Sequence, residues 1–163
     1  MFKTVTGDVF TAELDVLLQG NNCFCVWGAG VARILKRDYP LAFKADLVTE
    51  EGDVGKLGTY SSWTGPHLKI PNKDVTIVNC YTQYDTSSPD VRADYNAIKW
   101  VLEKVAEDFK DKVIGMPFLG AGLAGGDPAT ILDIFLEVFK NSSVDATLYL
   151  IPNEFPEVER KTY

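Results

Sequence analysis

Two glycine-rich loops have the residue types and spacing best suited to chemistry. The first is Asn21-Asn22-Cys23-Phe24-Cys25-Val26-Trp27-Gly28-Ala29-Gly30-Val31-Ala32, and the second is Pro117-Phe118-Leu119-Gly120-Ala121-Gly122-Leu123-Ala124-Gly125-Gly126-Asp127. Each stands between a strand-like run and a helix-like run. Glycine lets the backbone approach a ligand closely, and N–H groups at a helix N-terminus attract anions. The pair of loops predicts a site for a phosphate-bearing nucleotide.

The elements that position these loops follow from hydrophobic spacing. Apolar runs predict strands at residues 2–6, 14–18, 75–81, 113–118 and 146–151, and a hairpin of residues 59–63 and 68–70. Helical spacing predicts helices over residues 31–40, 41–51 and 90–110, and a fourth that is N-capped by Asp127 with Pro128 at its first position. Strands mixed with helices predict an α/β fold: a three-layer α/β/α sandwich with a mixed central sheet.

Length and composition predict one soluble globular domain spanning residues 1–163. Apolar residues make up 46% of the chain and charged residues 24%, which is typical of an ordered protein. No apolar run approaches the length of a membrane span, and residues 1–8 lack the apolar segment of a signal peptide. We therefore expect a cytoplasmic protein, without a membrane partner, that is a monomer.

The net charge of −7 argues against duplex nucleic acid as a partner, because phosphate contacts need clustered Lys or Arg. An acidic protein that binds a nucleotide is expected to hold the phosphates with backbone N–H groups. The three cysteines are too few for a structural zinc site or a disulfide framework. Cys23-x-Cys25 is either a reactive pair or two small loop residues, and the second interpretation is favoured. No motif requires a metal or cofactor.

The second loop matches a dinucleotide-binding fingerprint at Gly120-x-Gly122-x-x-Gly125. That fingerprint normally follows the first strand of its fold, with several strand–helix units after it. Here only one helix and one strand remain, and the acidic residues about 20 positions later, Glu137 and Asp145, are in the wrong context. An NAD-dependent oxidoreductase is therefore disfavoured.

Taken together, the segments resemble the macro domain, a module that binds ADP-ribose, over nearly the whole chain. Gly7-Asp8-Val9-Phe10 is similar to the motif after the family's first strand. Asn22 stands five residues before a Trp-Gly-x-Gly loop, as the family's ribose-binding Asn does. Leu119-Gly120-Ala121-Gly122-Leu123-Ala124-Gly125-Gly126 looks like its phosphate loop. Phe155 falls where the family places an aromatic residue against adenine.

The resemblance implies a set of site residues. Asp8 would accept from the adenine amino group, Asn22 would hold the distal ribose, and residues 120–126 would hold the phosphates. The implied catalytic residues are Asn22 and Asp127, although Asp127 has capping as its simpler role. The implied ligand-binding residues are Asp8, Val9, Gly20, Asn22, Trp27, Gly28, Ala29, Gly30, Val31, Gly120, Ala121, Gly122, Leu123, Ala124, Gly125 and Phe155.

Within the family, the chain most resembles a small branch of yeast, phage and bacterial ADP-ribose 1''-phosphate phosphatases. The expected function is therefore binding of ADP-ribose and hydrolysis of ADP-ribose 1''-phosphate. The alternatives are a non-catalytic ADP-ribose reader and a hydrolase that removes ADP-ribose from modified macromolecules. The catalytic lysine of a related glycohydrolase falls near Gln83, and the histidine of the yeast phosphatase near Gln19. Lysine-based and histidine-based mechanisms are therefore not expected, and His67 lies away from both loops.

Overall fold

The computed structural model describes residues 1–87 and 89–163. Its strands and helices are mixed along the chain, as hydrophobic spacing predicted. The strands are β1 (Phe2–Thr6), β2 (Val16–Asn21), β3 (Tyr60–Pro66), β4 (Asp74–Tyr81), β5 (Val113–Met116) and β6 (Asp145–Leu150). The helices are α1 (Gly30–Asp38), α2 (Pro40–Leu47), α3 (Tyr95–Asp108) and α4 (Pro128–Phe139), with a 3₁₀ helix at Val54–Lys56.

The six strands form one mixed sheet in the order β1-β6-β5-β2-β4-β3. All neighbouring pairs are parallel except β3 and β4, which are antiparallel. The predicted α/β class with a mixed central sheet is confirmed. Parallel neighbours bring their carboxyl ends to the same edge, so the segments after β6, β5, β2 and β4 meet along one side of the sheet.

Helices cover both faces of the sheet. Strand β2 shows the alternation, because Leu18 packs into the core under α3 and α4 while Leu17 packs into the core under α1 and α2. Ile98 and Phe135 fill the first core, and Leu35 belongs to the second. Burying each of these side chains contributes about 1.5–3 kcal/mol to folding. A central strand buried on both faces is what holds the two glycine loops side by side.

Several predicted boundaries were wrong. Strand β2 covers Val16–Asn21 and not residues 14–18, and β5 ends at Met116 and not at residue 118. Helix α3 begins at Tyr95 and not at residue 90, because the Asp94 carboxylate accepts from the Ala97 N–H and caps the helix there. Helix α2 ends at Leu47, before the predicted residue 51. The Asp127 cap and Pro128 at the first position of α4 are confirmed.

The predicted hairpin was also wrong. Strand β3 pairs with β4, with Pro66 opposite Asp74, and residues 68–70 form no strand. The cause is His67, which is 7% exposed and accepts the Lys69 and Ile70 N–H groups on Nδ1 at 3.0 and 3.1 Å. Those bonds fold the segment into a turn, so that it cannot form a ladder with a neighbouring strand.

No helix in the described part of the chain is long and apolar enough to cross a bilayer.

Because His67 holds the turn between β3 and β4, we predict that the free energy of unfolding depends on pH. Burial holds the pKa of His67 below its usual value in the folded protein, and protonation would remove the acceptor on Nδ1. As the pH falls, His67 takes up a proton near pH 6.5 in the unfolded chain and only at a lower pH in the folded protein. The contribution of His67 is therefore complete above pH 6.5 and is lost as pH falls toward its folded pKa.

We expect the free energy of unfolding, measured by urea denaturation, to fall more between pH 7.5 and 5.5 in the wild type than in His67→Gln. Equal losses in the two proteins would contradict this assignment.

Candidate functional site

A groove of about 430 Å³ lies over the carboxyl edge of the sheet. Its walls come from the segments after β2, β4, β5 and β6, so it crosses about three strand spacings, or about 14 Å. Both glycine loops line it, which brings together residues about 100 positions apart in the chain. The predicted site residues on its walls are Gly20, Asn22, Gly28, Ala29, Gly30, Val31, Gly120, Gly122, Leu123, Ala124 and Phe155.

The first loop, residues 21–32, presents the N-terminus of α1 to the groove. Helix α1 has no side-chain cap and no acidic residue in its first turn. The N–H groups of Gly28, Ala29, Gly30, Val31 and Ala32 donate to no acceptor within residues 1–87 and 89–163. Free N–H groups at the positive end of a helix dipole form an anion site.

The second loop, residues 117–127, does not use its helix in this way. The Asp127 carboxylate accepts from the Thr130 N–H and hydroxyl, which fills the N-terminus of α4 with a negative charge. Those bonds hold the pKa of Asp127 below its usual value. Of the two helices expected to face an anion, only α1 has its N-terminus free.

Most glycines of the second loop are required by the backbone itself. Gly120 and Gly125 have φ of +82° and +73°, a region that side chains disfavour. A Cβ on Gly126 would lie 2.6 Å from the Gly120 carbonyl oxygen, which also accepts the Gly126 N–H at 2.8 Å. The loop conformation alone therefore explains glycine at these three positions, and a ligand is not needed to account for them.

Gly28 and Gly122 are different. Neither has a positive φ, a Cβ on Gly122 would meet nothing within 4 Å, and one on Gly28 would touch only Val26 at 3.9 Å. Both line the groove, one from each loop. The fold itself would accept a side chain at either position, so glycine here keeps open space on both sides of the groove.

The two neighbouring asparagines have different surroundings. The Asn22 oxygen accepts the Phe24 and Val26 N–H groups at 2.9 and 3.3 Å, and its amide donates to the Val26 carbonyl at 2.8 Å. Asn22 therefore shapes the first loop and keeps one N–H for a ligand. Asn21 also lines the groove, is 3% exposed, and neither polar atom of its side chain has a partner among the described residues. Buried amides need partners, so Asn21 is better placed than Asn22 to donate to and accept from a ligand.

Several predicted ligand residues lie off the groove walls. Asp8 is exposed, and its carboxylate accepts the Phe10 N–H at 2.9 Å in a local turn. Val9 packs in the core under α1 and α2. Ala121 packs in the core under α3 and α4. The Gly125 N–H donates to the Gly122 carbonyl, and this bond closes a turn. The binding roles expected of these residues stay predictions.

Trp27 and Asp127, two further predicted site residues, also point elsewhere. Trp27 is buried beneath the first loop, where its indole N–H donates to Asp46 at 2.7 Å. Asp127 caps α4, as described above, and does not line the groove. In the structure, Trp27 packs beneath the first loop, and the Asp127 carboxylate is occupied by its capping hydrogen bonds to α4.

Four polar residues on the groove walls were missed as site residues by sequence reasoning: Gln83, Thr86, Arg92 and Glu154. The family resemblance implies a related enzyme's lysine near Gln83 and gives Gln83 itself no role. The Arg92 guanidinium donates to the carbonyls of Thr86 and Leu123, and so joins the segment after β4 to the second loop. Arg92 and Glu154 are the charged side chains among the described groove residues. No local pattern distinguishes them, because a single charge in a loop is common.

One end of the groove is aromatic. Phe155 and Phe118 both line it and pack edge to face, with ring centroids 5.0 Å apart and an interplanar angle of 66°. They follow β6 and β5. Asn21 is the last residue of β2, and Gln83 and Thr86 follow β4; all three lie at the other end, which is therefore the polar end of the groove.

A buried polar cluster lies beneath the first loop. Asp46 is fully buried and accepts from Trp27 Nε1 and from the Tyr81 hydroxyl at 2.5 Å. Lys56 Nζ lies 3.9 Å from the same carboxylate and donates to the Cys23 carbonyl at 3.1 Å. The cluster ties α2 and the 3₁₀ helix to the backbone of the loop. Burial and the Asp46 carboxylate raise the pKa of Tyr81.

The cysteine pair is not a thiolate site. Burial raises the pKa of Cys23 to about 11 and also raises that of Cys25. Thiols with raised pKa values are poor nucleophiles at neutral pH. No group of three metal-ligating side chains occurs among the residues that the structure describes.

Two curated relatives match most of this chain, and no family model matches it. The uncharacterized 17.5 kDa protein in the tk-vs intergenic region of Enterobacteria phage T4 is 33% identical over 132 residues, covering 77% of this chain and 81% of the phage protein. An ADP-ribose 1''-phosphate phosphatase of Debaryomyces hansenii is 27% identical over 175 aligned residues, covering 89% and 97%.

Solved structures share the fold. The macrodomain of Mycobacterium tuberculosis DarG matches with a TM-score of 0.71 at 24% identity, covering 91% of this chain and 97% of that chain. Thermosipho africanus DarTG in complex with ADP-ribose matches with a TM-score of 0.77 at 17% identity, covering 96% of this chain and 43% of that chain. The predicted macro-domain fold is thereby confirmed.

The cluster beneath the first loop yields a stability prediction. Asp46→Ala removes the carboxylate that accepts from the Trp27 indole and the Tyr81 hydroxyl, and it leaves the buried Lys56 ammonium without its counter-charge. Removing one partner of a buried charge network costs about 3–5 kcal/mol, and we expect a loss of that size in urea denaturation. Asp38→Ala is the matched control, because Asp38 pairs with the exposed Arg37 and such pairs contribute about 1 kcal/mol or less. Similar losses for the two variants would contradict the role given to Asp46.

Proposed function

This chain is a macrodomain related to the phage T4 protein, and from that premise we propose that it binds ADP-ribose in the groove between the two glycine loops. The observation that carries the proposal is the open space at Gly28 and Gly122. The backbone does not require glycine at either position, yet both leave room in one groove, one from each loop. A diphosphate passing between the loops accounts for both.

The N–H groups of residues 28–32 supply the donors that a diphosphate needs. They lie at the uncapped N-terminus of α1, and the dipole of that helix adds to their attraction for an anion. Backbone donors also fit the net charge of −7, because acidic side chains outnumber the basic ones that could bind phosphate.

The two ends of the groove fit the two ends of the ligand. The aromatic rings of Phe118 and Phe155 offer an apolar surface for a nucleobase. At the polar end, Asn21 offers a buried amide that has no partner among the described residues, which suits the hydroxyl groups of a ribose. ADP-ribose carries its base, its diphosphate and its distal ribose in this order.

A titration of ADP-ribose by calorimetry tests the binding site. We expect Gly122→Glu to weaken binding at least about 100-fold, because the carboxylate fills the open space and repels the diphosphate. Asn141→Glu is the matched control, since it adds the same charge at an exposed position after α4, away from the groove. Equal affinities for Gly122→Glu and the wild type would contradict the proposed site, and a wild type that does not bind ADP-ribose would contradict the function.

Hydrolysis of ADP-ribose 1''-phosphate is the second candidate function. Arg92 favours it, because an arginine on the groove wall suits a phosphate beyond the diphosphate. The phosphatase of Debaryomyces hansenii is a relative by sequence. In the proposed step, water attacks phosphorus and loses a proton, the bond from phosphorus to the ribose oxygen breaks, that oxygen takes up a proton, and ADP-ribose and phosphate leave. Arg92 and the backbone N–H groups would stabilise the charge on the phosphoryl oxygens.

Neither carboxylate near the groove is well placed to act as a general acid or base in this step. Asp127 caps α4, and Glu154 lies at the aromatic end of the groove, away from the distal ribose. General acid–base assistance contributes about 100-fold to 10,000-fold, so we expect slow turnover. The family resemblance implies that the lysine of a related glycohydrolase falls near Gln83, and the amide of Gln83 would form no covalent adduct with ribose. Removal of ADP-ribose from macromolecules through a lysine is therefore not proposed.

Phosphate release from ADP-ribose 1''-phosphate separates a phosphatase from a reader. We expect Arg92→Gln to lower kcat/KM at least about 10-fold, the size expected for a lost charged hydrogen bond. Arg37→Gln removes the same charge at the exposed end of α1 and should leave the rate unchanged. If the wild type binds ADP-ribose tightly but releases no phosphate, the phosphatase activity is excluded and the protein is a non-catalytic ADP-ribose reader.

A further inference from the structure

Two amide side chains of β2, Gln19 and Asn21, have buried atoms that no other residue satisfies. Gln19 is 1% exposed and Asn21 is 3% exposed. Within residues 1–87 and 89–163, four buried side-chain nitrogen and oxygen atoms lack a hydrogen-bond partner, and three of them are Gln19 Oε1, Asn21 Nδ2 and Asn21 Oδ1. Alternate residues of a strand share one face and lie about 7 Å apart, so the two amides are neighbours.

The amide nitrogen of Gln19 is already engaged. It donates at 2.9 Å to Asn79 Oδ1, directly opposite in β4, and Asn79 Nδ2 donates to the Ala42 carbonyl and the Ser61 hydroxyl, both at 3.1 Å. A carbonyl only accepts, so Ala42 fixes which end of the Asn79 amide is the nitrogen. Asn79 fixes Gln19 in turn, and Gln19 Oε1 is therefore a buried acceptor that needs a donor.

The hydrogen bonds beyond Asn79 run in the same direction. The Tyr81 hydroxyl donates to Asp46 at 2.5 Å, so the Ser61 hydroxyl, 2.8 Å from the Tyr81 oxygen, donates to Tyr81. Gln19, Asn79, Ser61 and Tyr81 thus form one buried hydrogen-bond chain in which every donor points toward the Asp46 carboxylate. Hydrogen bonds aligned in this way polarise one another, which gives the chain a fixed direction.

Asn21 is placed to continue this chain to the groove. It shares the face of β2 with Gln19 and lines the polar end of the groove. When Asn21 Nδ2 donates to Gln19 Oε1, directly or through one water, Asn21 Oδ1 is directed away from Gln19 and toward the groove. The direction of the buried chain therefore decides that Asn21 offers an acceptor to a ligand.

We propose that Gln19 is a positioning residue that orients Asn21, so that Asn21 Oδ1 accepts a hydrogen bond from a hydroxyl group on the distal part of the ligand. The proposal rests on the proposed ADP-ribose binding and adds to it a residue that does not line the groove. Asn22 keeps its own N–H for the ligand. The polar end then favours a ligand with a hydroxyl donor over one that ends at the diphosphate.

The test compares the affinities of ADP-ribose and of ADP, which lacks the distal ribose, by calorimetry. Gln19→Met keeps the length of the side chain and removes the acceptor for Asn21. We expect the affinity for ADP-ribose to fall about 10-fold, the size expected for one lost hydrogen bond, while the affinity for ADP changes less than about 2-fold. A purely structural role of Gln19 would weaken both ligands alike. That result, or an unchanged affinity for ADP-ribose, would overturn the proposal.

Thr4→Val is the matched control, because it also replaces a buried polar side chain by an apolar one of similar size. Thr4 is 2% exposed, donates to the Glu159 carbonyl and does not line the groove. Its substitution should leave the ratio of the two affinities at the wild-type value. A ratio that falls as far in Thr4→Val as in Gln19→Met would contradict the role given to Gln19.

A measurement on the wild type does not depend on how well Gln19→Met folds. In the ligand-free protein, the side-chain N–H resonances of Asn21 should exchange with solvent more slowly than those of Asn141, which is exposed. Equal exchange rates would show that Asn21 does not donate to Gln19 and would overturn the proposal. Failure of the wild type to bind ADP-ribose would instead overturn the proposed function, and this assignment with it.

Discussion

The geometry of parallel strands is the constraint on which the rest of this structure depends. Strands β6, β5, β2 and β4 are parallel neighbours, so each connection must cross a face of the sheet and every carboxyl end emerges at one edge. The four loops at that edge therefore meet, although their residues are far apart in the chain. Ligand sites in open α/β sheets occur at this edge for the same reason. The groove is a consequence of the strand order, and the loop sequences decide what it can hold.

The glycines of the two loops serve two separate needs. Gly120, Gly125 and Gly126 are required by backbone conformation or close approach, whereas Gly28 and Gly122 are not. A dense run of glycine in a sequence does not reveal this division. The distinction matters because only a glycine that the backbone does not need is evidence of a ligand.

The first loop is supported by a buried polar cluster and not by an apolar core alone. The Asp46 carboxylate, the Trp27 indole and the Lys56 ammonium occupy the space beneath it. Buried charges are costly unless they are paired and hydrogen-bonded, so the cluster holds α2 and the 3₁₀ helix in one arrangement. That arrangement keeps the N-terminus of α1 directed at the groove. The loop is thus preorganised for an anion before any anion binds.

The sequence by itself determined the order of the main strands and helices, the α/β class, the two glycine loops and the cap at Asp127, because hydrophobic period, glycine and capping residues act over a few neighbouring positions. It did not exclude a strand at residues 68–70, where the buried His67 accepts two backbone N–H groups and forms a turn. It did not determine which side chains line the groove. Trp27 and Asp8 stand in the expected motifs, yet their hydrogen bonds direct one into the core and the other into a local turn. Arg92 and Glu154 have no local signature and reach the groove only because the sheet brings four loops together. The direction of a side chain depends on partners distant in sequence, and only the tertiary structure decides that.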